Sequence, residues 1–382
     1  MGCVFKYAIA VICAIIASYG VKFYAEKNPN TVEFLGRVTT SDSLYVRLFQ
    51  SAQGLLLQTV HSNPVATFKE GSLRGQLIVL SGGNGGIGFE TAKGLVKRGG
   101  DVIIVGRNER KIEEAVQRIK NELLVEGIHS VSLQYIVADT SDLDSVVKLV
   151  QVLQHHFSAR KIDQLILNAA VWPNEYSVSA QGHEIAFATN TLGPHLFLRA
   201  LIQQDVLKPN ARVISVTGDI YVSVFGSDDE TATPDFKYGT PSKFETAGQV
   251  AYCRSKLGMM WLFDEIHALV PSLQMFLVHP GVIGSNLVQG NPMPAFLMLN
   301  NEQGAQTTLV VATAGTDLLE SGAYYHNTLG KLVLPASDPA KNATKRKEFF
   351  AVAEGLIAPY LAALRPQQQQ AQEQHQEPPH QE

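Results

Sequence analysis

From Gly75 onward, short unbroken apolar runs alternate with stretches whose apolar residues recur every three or four positions. Gln76–Ser81 (QLIVLS) is such a run, and Asp101–Val105, Val131–Val137, Ile162–Leu167, Ala211–Val216 and Leu273–Val278 follow. A run that is apolar at every position suits a strand covered on both faces. Phe89–Arg98, Glu109–Glu126, Ser145–Phe157, His183–Leu201 and Gly248–Leu269 lie between and after them with helical spacing. Strand and helix in strict alternation predict an α/β fold, a Rossmann-type doubly wound parallel sheet with helices on both faces.

The two ends depart from this pattern. Tyr7–Val21 (YAIAVICAIIASYGV) is apolar throughout and is bracketed by Lys6 and Lys22. It is short for a span, but snorkelling lysines extend it to about Val4–Ala25. We expect an N-terminal membrane helix, with a cleaved signal peptide or a buried helix as alternatives. Lysine and arginine beyond the span lean towards a cytosolic catalytic domain. Glu26–Thr40 reads as a linker, and Ser41 or Asp42 is placed to cap a helix running towards Thr59. That helix is either an arm between membrane and domain or packs on the domain. Pro366–Glu382 is Gln-rich and almost without apolar residues, which predicts disorder. The expected organisation is thus a membrane anchor over 1–25, linker and helical arm over 26–71, the α/β domain over 72–362 and a disordered tail over 363–382.

Composition narrows the function classes. A net charge of -4 without a basic patch argues against nucleic acid as a partner. The three cysteines, Cys3, Cys13 and Cys253, have no metal-ligand spacing, and no metal site is expected.

The first strand runs into Ser81-Gly82-Gly83-Asn84-Gly85-Gly86-Ile87-Gly88, and a helix opens there. Free N–H groups at a helix N-terminus attract a pyrophosphate, and glycines let the backbone approach it. Between a strand and a helix, such a cluster predicts a dinucleotide site. The second strand ends at Gly106-Arg107-Asn108. No acid stands there for a ribose 2′-OH, and Arg107 can pair with a 2′-phosphate, which favours NADP(H) over NAD. A solvated surface arginine is the bland alternative. Asp139, after the third strand, contacts the adenine edge or forms a turn.

Tyr252 and Lys256 lie four residues apart on a predicted helix, and no other of the 12 tyrosines has a lysine at that spacing. A lysine cation near a phenol favours the phenolate and lowers its pKa towards a useful range. The pair can then exchange a proton with a carbonyl or alcohol oxygen. A surface contact is the ordinary explanation of such spacing, so the weight comes from its place after the fifth strand. Cys253 faces elsewhere and suits core packing. Trp172 and Tyr176 are candidates for an apolar substrate pocket or for loop packing.

Taken in order, SGGNGGIG at 81–88, GR at 106–107, LNAAV at 167–171, ATNTLGPHLF around Asn190, AYCRSKL at 251–257 and HPGVIGS at 279–285 resemble the short-chain dehydrogenase/reductase family, and within it the retinol-dehydrogenase-like group. The resemblance spans about Gly75 to Gly355. It implies that Tyr252 is the acid/base and that Lys256 also binds the nicotinamide ribose. Asn190 would hold a relay water, Asn168 and Ala169 would line the cofactor cleft, and Pro280-Gly281 would border the nicotinamide. Ser81, Gly82, Asn84, Gly86, Ile87 and Gly88 would form the phosphate loop. Two positions depart from the pattern. The family's NNAG reads Leu167-Asn168-Ala169-Ala170, and the serine that holds the substrate carbonyl aligns with Gly218 in Val216-Thr217-Gly218. Thr217 carries a hydroxyl and is the candidate substitute if the strand end shifts by one residue, since neighbouring strand residues point to opposite faces; another hydroxyl is the alternative. Loss of such a hydrogen bond costs about 2–4 kcal/mol of transition-state stabilisation.

The expected function is an NADP-dependent oxidoreductase acting on a lipophilic carbonyl or alcohol of the retinoid, steroid or fatty aldehyde class. The expected setting is the membrane of the endoplasmic reticulum or a lipid droplet, with a homodimer as a further expectation. The alternative is a catalytically impaired relative that binds the dinucleotide and acts through other proteins.

Overall fold

The computed structural model describes residues 31–58, 64–67, 69–157, 160–224, 244–284, 287 and 298–365. In chain order the main elements are α1 (Thr31–Gly36), β1 (Val38–Thr40), α2 (Leu44–Leu57), β2 (Leu77–Ser81), α3 (Gly86–Lys97), β3 (Asp101–Gly106), α4 (Glu109–Val125), β4 (Leu133–Val137), α5 (Leu143–His156) and β5 (Ile162–Leu167). There follow α6 (Ile185–Phe187), a π-turn (Ala188–Leu192), α7 (Gly193–Gln203), β6 (Leu207–Val216), a 3-10 turn (Asp219–Val224), α8 (Phe244–Leu269), β7 (Gln274–His279), α9 (Asn301–Thr313), β8 (Tyr324–His326), β9 (Gly330–Val333) and α10 (Ala343–Ala363).

The strands form one sheet in the order β1-β9-β8-β7-β6-β5-β2-β3-β4. Every neighbouring pair is parallel except β8 with β9. Alternate residues of each central strand enter opposite cores. Leu77, Val79, Val213, Met275 and Leu277 join the core under α5, α7, α8 and α10. Ile78, Leu80, Ile214, Phe276 and Val278 join the core under α3, α4 and α9. This two-sided burial is why the strands read as unbroken apolar runs. The chain reverses its strand order between β4 and β5, so the β2 and β5 C-terminal ends open a crevice where ligands bind in such sheets.

The segment before the domain is built into the same sheet. β1, inside the stretch that reads as a linker, pairs with β9. The cap of α2 is Ser43, whose hydroxyl accepts from Val46 N, rather than Ser41 or Asp42. α2 packs on the domain, with Arg47 fully buried.

The membrane helix expected over 4–25 lies outside the described residues. Among the described residues no helix is long and apolar enough to cross a membrane. This corrects the expected architecture: the fold is a Rossmann-type parallel sheet without a membrane-spanning helix in its described part. The membrane partner and the placement in endoplasmic reticulum or lipid droplet are withdrawn with it, and no interface among the described residues supports the homodimer. The Gln-rich tail from 366 onward also lies outside the described residues.

Candidate active site

The glycine loop is shaped by close backbone approach. Gly82 has φ +72° and Gly86 φ +55°, the left-handed region that favours glycine. A Cβ on Gly82 would stand 2.8 Å from the Ala169 Cα, and one on Gly88 would run into the Gly82 carbonyl. In contrast, Gly85 has nothing within 4 Å of its Cβ position, and Gly86 has only Asn301 Oδ1 at 3.9 Å. Gly85 caps α3 without any side-chain hydrogen bond. The N-terminus of this twelve-residue helix thus has no side-chain cap and open space at Gly85 and Gly86, an arrangement that fits a pyrophosphate.

The β5 loop is tied to this cradle. Asn168 Nδ2 donates to the carbonyls of Ser81 and Gly82, both at 3.1 Å. Ser81 Oγ accepts from Asn168 N at 3.1 Å and Ala169 N at 3.2 Å. Asn84 Oδ1 lies 3.2 Å from the Cβ position of Gly106, so the loop leans on the end of β3. Arg107 is exposed one residue further on. Asp139 Oδ1 accepts from Ser141 N at 2.9 Å and Ser141 Oγ at 2.7 Å, a side-chain turn.

Tyr252, Lys256 and Asn190 converge at the same strand ends. The Tyr252 ring stacks on Trp172, with centroids 4.3 Å apart. Lys256 Nζ lies 5.5 Å from that ring's centroid and donates to Val216 O at 3.0 Å. Burial, with a smaller push from Cys253, raises the Tyr252 phenol above its ordinary value. Burial lowers the Lys256 ammonium to about 8. The lysine-driven lowering of the phenol expected from the spacing is therefore absent, because desolvation outweighs a lysine that is itself buried and turned to a carbonyl. Asn190 sits in the π-turn, where it accepts from Val171 N at 2.8 Å and donates to Val171 O and Ser255 Oγ, each at 2.9 Å. Ser255 Oγ in turn donates to Tyr252 O at 2.7 Å. The π-turn thereby couples the β5 loop to the helix that carries Tyr252, and such bulges cluster at functional sites.

The serine position is vacant in a specific way. A Cβ on Gly218 would meet only His279 Nδ1, at 3.7 Å. Thr217 is buried and its Oγ1 has no hydrogen-bond partner. Behind them lies a group of residues that no sequence spacing reveals. Asp219 accepts from Arg47 Nη2 at 2.6 Å, from Ser51 Oγ at 2.6 Å and from Tyr324 Oη. His326 Nε2 stands 3.1 Å from Asp219 Oδ2. His279 Nδ1 accepts from Asp219 N at 3.3 Å, and its ring lies 4.5 Å from that of His326. Burial works against the Asp219 carboxylate, but His326 and Arg47 prevail and hold it well below the usual range. Burial, with His326 beside it, lowers His279 to about 3.

Asp219, His279 and His326 offer ligand atoms within 4.8 Å of one another, a spacing suited to a metal ion. Their hydrogen bonds describe a polar network instead. His326 Nδ1 accepts from Thr328 N and Leu329 N, so Nε2 carries the ring proton and points it at Asp219. A cation there would face that proton and the Arg47 guanidinium. Of these residues only His279 had a sequence cue, the HPG motif. Arg47 and His326 are separated from it by 232 and 47 positions and follow no local rule.

Pro280 is buried, and Gly281 has φ +93°. A Cβ on Gly281 would lie 2.7 Å from Asn327 Nδ2 and 2.8 Å from Gln58 Oε1.

Comparison with known proteins agrees with this architecture. Residues 76–224 match the short chain dehydrogenase family model. The human WW domain-containing oxidoreductase is 32% identical over 303 residues, covering 76% of this chain and 70% of that protein. Human retinol dehydrogenase 13 is 26% identical over 304 residues, covering 75% of this chain and 87% of that protein. A solved structure from Mycobacterium paratuberculosis superimposes with TM-score 0.59 at 23% identity, over 76% of this chain and 96% of that one, which supports the fold. A parallel sheet with a glycine cradle at its crevice and relatives named retinol dehydrogenase and oxidoreductase lead to one conclusion: the chain belongs to the short-chain dehydrogenase/reductase family, with its resemblance directed to the retinol-dehydrogenase-like group.

Proposed function

We propose that the protein is an NADP(H)-dependent oxidoreductase that interconverts a lipophilic carbonyl compound and its alcohol. The observation that carries this reading is the meeting of the glycine cradle, the β5 loop and the Tyr252–Lys256 pair at one set of strand ends, linked by Asn168 and Asn190. Arg107, exposed beside the cradle with no carboxylate at the end of β3, supports a 2′-phosphate. Trp172 over Tyr252 supports an apolar substrate. The relatives named retinol dehydrogenase point to the same substrate class.

When bound, the nicotinamide supplies a hydride to the carbonyl carbon or takes one from the alcohol carbon. Tyr252 Oη gives the matching proton to the carbonyl oxygen, so hydride plus proton complete the alcohol. A phenol raised by burial is protonated at neutral pH and is ready for the reductive direction. Lys256, lowered to about 8, is acidic enough to return a proton to the phenolate. Asn190 holds the turn that sets Tyr252 and Val171 relative to each other.

The test is NADPH oxidation by the purified chain with retinal-like and aliphatic aldehydes. Tyr252→Phe is expected to lower the rate by at least about 10²-fold. An unchanged rate in that variant would remove Tyr252 from the mechanism.

The space at Gly218 favours a second reading, a dinucleotide-binding relative with weak or no turnover. Gly218→Ser separates the two, because a Cβ there meets only His279 Nδ1 at 3.7 Å and a serine fits. A large rate increase in that variant argues for an intact site lacking one donor. No turnover before or after the change argues for the binding protein.

A further inference from the structure

Helix α2 lies upstream of the residues that match the family model, yet it reaches three successive strand ends of the site. Arg47 and Ser51 hold Asp219, next to Gly218 after β6. Gly54 O accepts from Thr328 Oγ1 at 3.2 Å beyond β8, and the Gly54 Cβ position lies 2.9 Å from the His326 ring. The third contact is the most specific. Gln58, the C-cap of α2, is 1% exposed. Its Oε1 accepts from Val282 N at 2.9 Å and its Nε2 donates to Val282 O at 3.3 Å. One primary amide thus engages both backbone polar groups of the residue that follows Pro280-Gly281, whose carbonyl also accepts from Leu299 N at 2.9 Å.

Such a double contact fixes a peptide's position and its plane together. The loop needs it, because Gly281 at φ +93° has the widest choice of conformations of any residue type. Three side chains, Gln58, Asn327 and Leu299, close on the space beside it. Beyond Val282, Ile283 bridges Leu299, so the loop is held on its other side as well. Without Gln58, Val282 N would lose its side-chain partner while remaining half-buried, Val282 O would keep only Leu299 N, and the turn at Gly281 would be held from one side alone.

We propose that Gln58 is a positioning residue for the nicotinamide end of the cofactor, acting from outside the family domain by fixing the loop Pro280–Ile283. The inference rests on the reading above, in which that loop borders the nicotinamide. It gives the segment before the domain a part in ligand binding, since α2 is the backing on which this loop is set. It also separates the two halves of the dinucleotide. The cradle at Gly82–Gly88 and Arg107 would hold the adenosine and phosphate half, whereas the nicotinamide half depends on the loop that α2 backs.

That separation defines the experiment, which needs no turnover. The affinity of the full chain for NADPH and for 2′-phospho-ADP-ribose, which lacks the nicotinamide, is measured in the parent, Gln58→Ala and Gln58→Glu. Gln58→Glu keeps the size and the acceptor but sets a carboxylate oxygen against Val282 O. Both variants are expected to bind NADPH about 10- to 100-fold more weakly, equivalent to about 1.4–2.8 kcal/mol, and the fragment as the parent does. Equal losses for both ligands would make Gln58 a purely structural residue and overturn the inference, as would unchanged NADPH affinity. A parent that binds neither ligand would instead overturn the dinucleotide reading itself, and the inference with it.

Discussion

The glycine-lined crevice and the polar cluster behind Gly218 sit at the same end of one sheet and are built on opposite principles. The crevice is made of backbone. Its glycines clear space, its helix N-terminus faces outward, and Asn168 ties the parts together through main-chain carbonyls. The cluster is made of buried charged and polar side chains. Arg47, Asp219, His279, His326 and Tyr324 come from four separate elements and satisfy one another. A backbone site tolerates surface change as long as the glycines remain. A buried charge network fails when any one member leaves, because its partner stays behind uncompensated.

The largest expected effect tests that contrast directly. Arg47→Ala should lower stability by about 3–5 kcal/mol in denaturant unfolding, since Asp219 remains buried without its cation. A loss below about 1 kcal/mol would show that the polar cluster is as tolerant as the crevice. The acid response comes next. His279 has a folded pKa of about 3 against an ordinary 6.5, so the unfolded chain binds the extra proton between those values. Stability is therefore intact above about pH 6.5 and falls as the pH drops towards 3. His279 alone accounts for about 2 kcal/mol between pH 6.5 and about pH 5. His183 and His195, both lowered by burial, act with the same sign. His279→Gln should flatten this part of the pH–stability curve, and an unchanged slope would remove His279 as its source. The smallest effect belongs to the crevice. Arg107→Ser should reduce the preference for NADPH over NADH by about tenfold, which is about 1.4 kcal/mol, while leaving the melting temperature in place. A drop in both cofactor affinities together would mean that Arg107 does not read the 2′-phosphate.

The two regions also differed in how far they could be read in advance. The six strands from Gln76 to Val278 stand within a few residues of the apolar runs that announce them, except that β6 begins earlier, at Leu207. The glycine loop follows β2 as its spacing requires. By contrast, β1, β8 and β9 have three or four residues each, too short for any period to register. The stretch read as a linker could not disclose β1, because its partner β9 lies almost 300 residues away. The phenol of Tyr252 was misjudged for a related reason. Spacing placed Lys256 beside it, but burial, which spacing does not measure, set the sign of the shift.

The sequence by itself determined the layered α/β architecture, the family and the place of the glycine loop. Each of these rests on local pattern, the period of apolar residues or the absence of side chains at a strand-to-helix turn. Tertiary structure alone decided which residues surround Gly218, how Tyr252 is shielded by Trp172, and that Gln58 holds Val282 from 224 positions away. Those contacts cross between elements distant in sequence, and their energies depend on burial and geometry that exist only once the sheet is assembled.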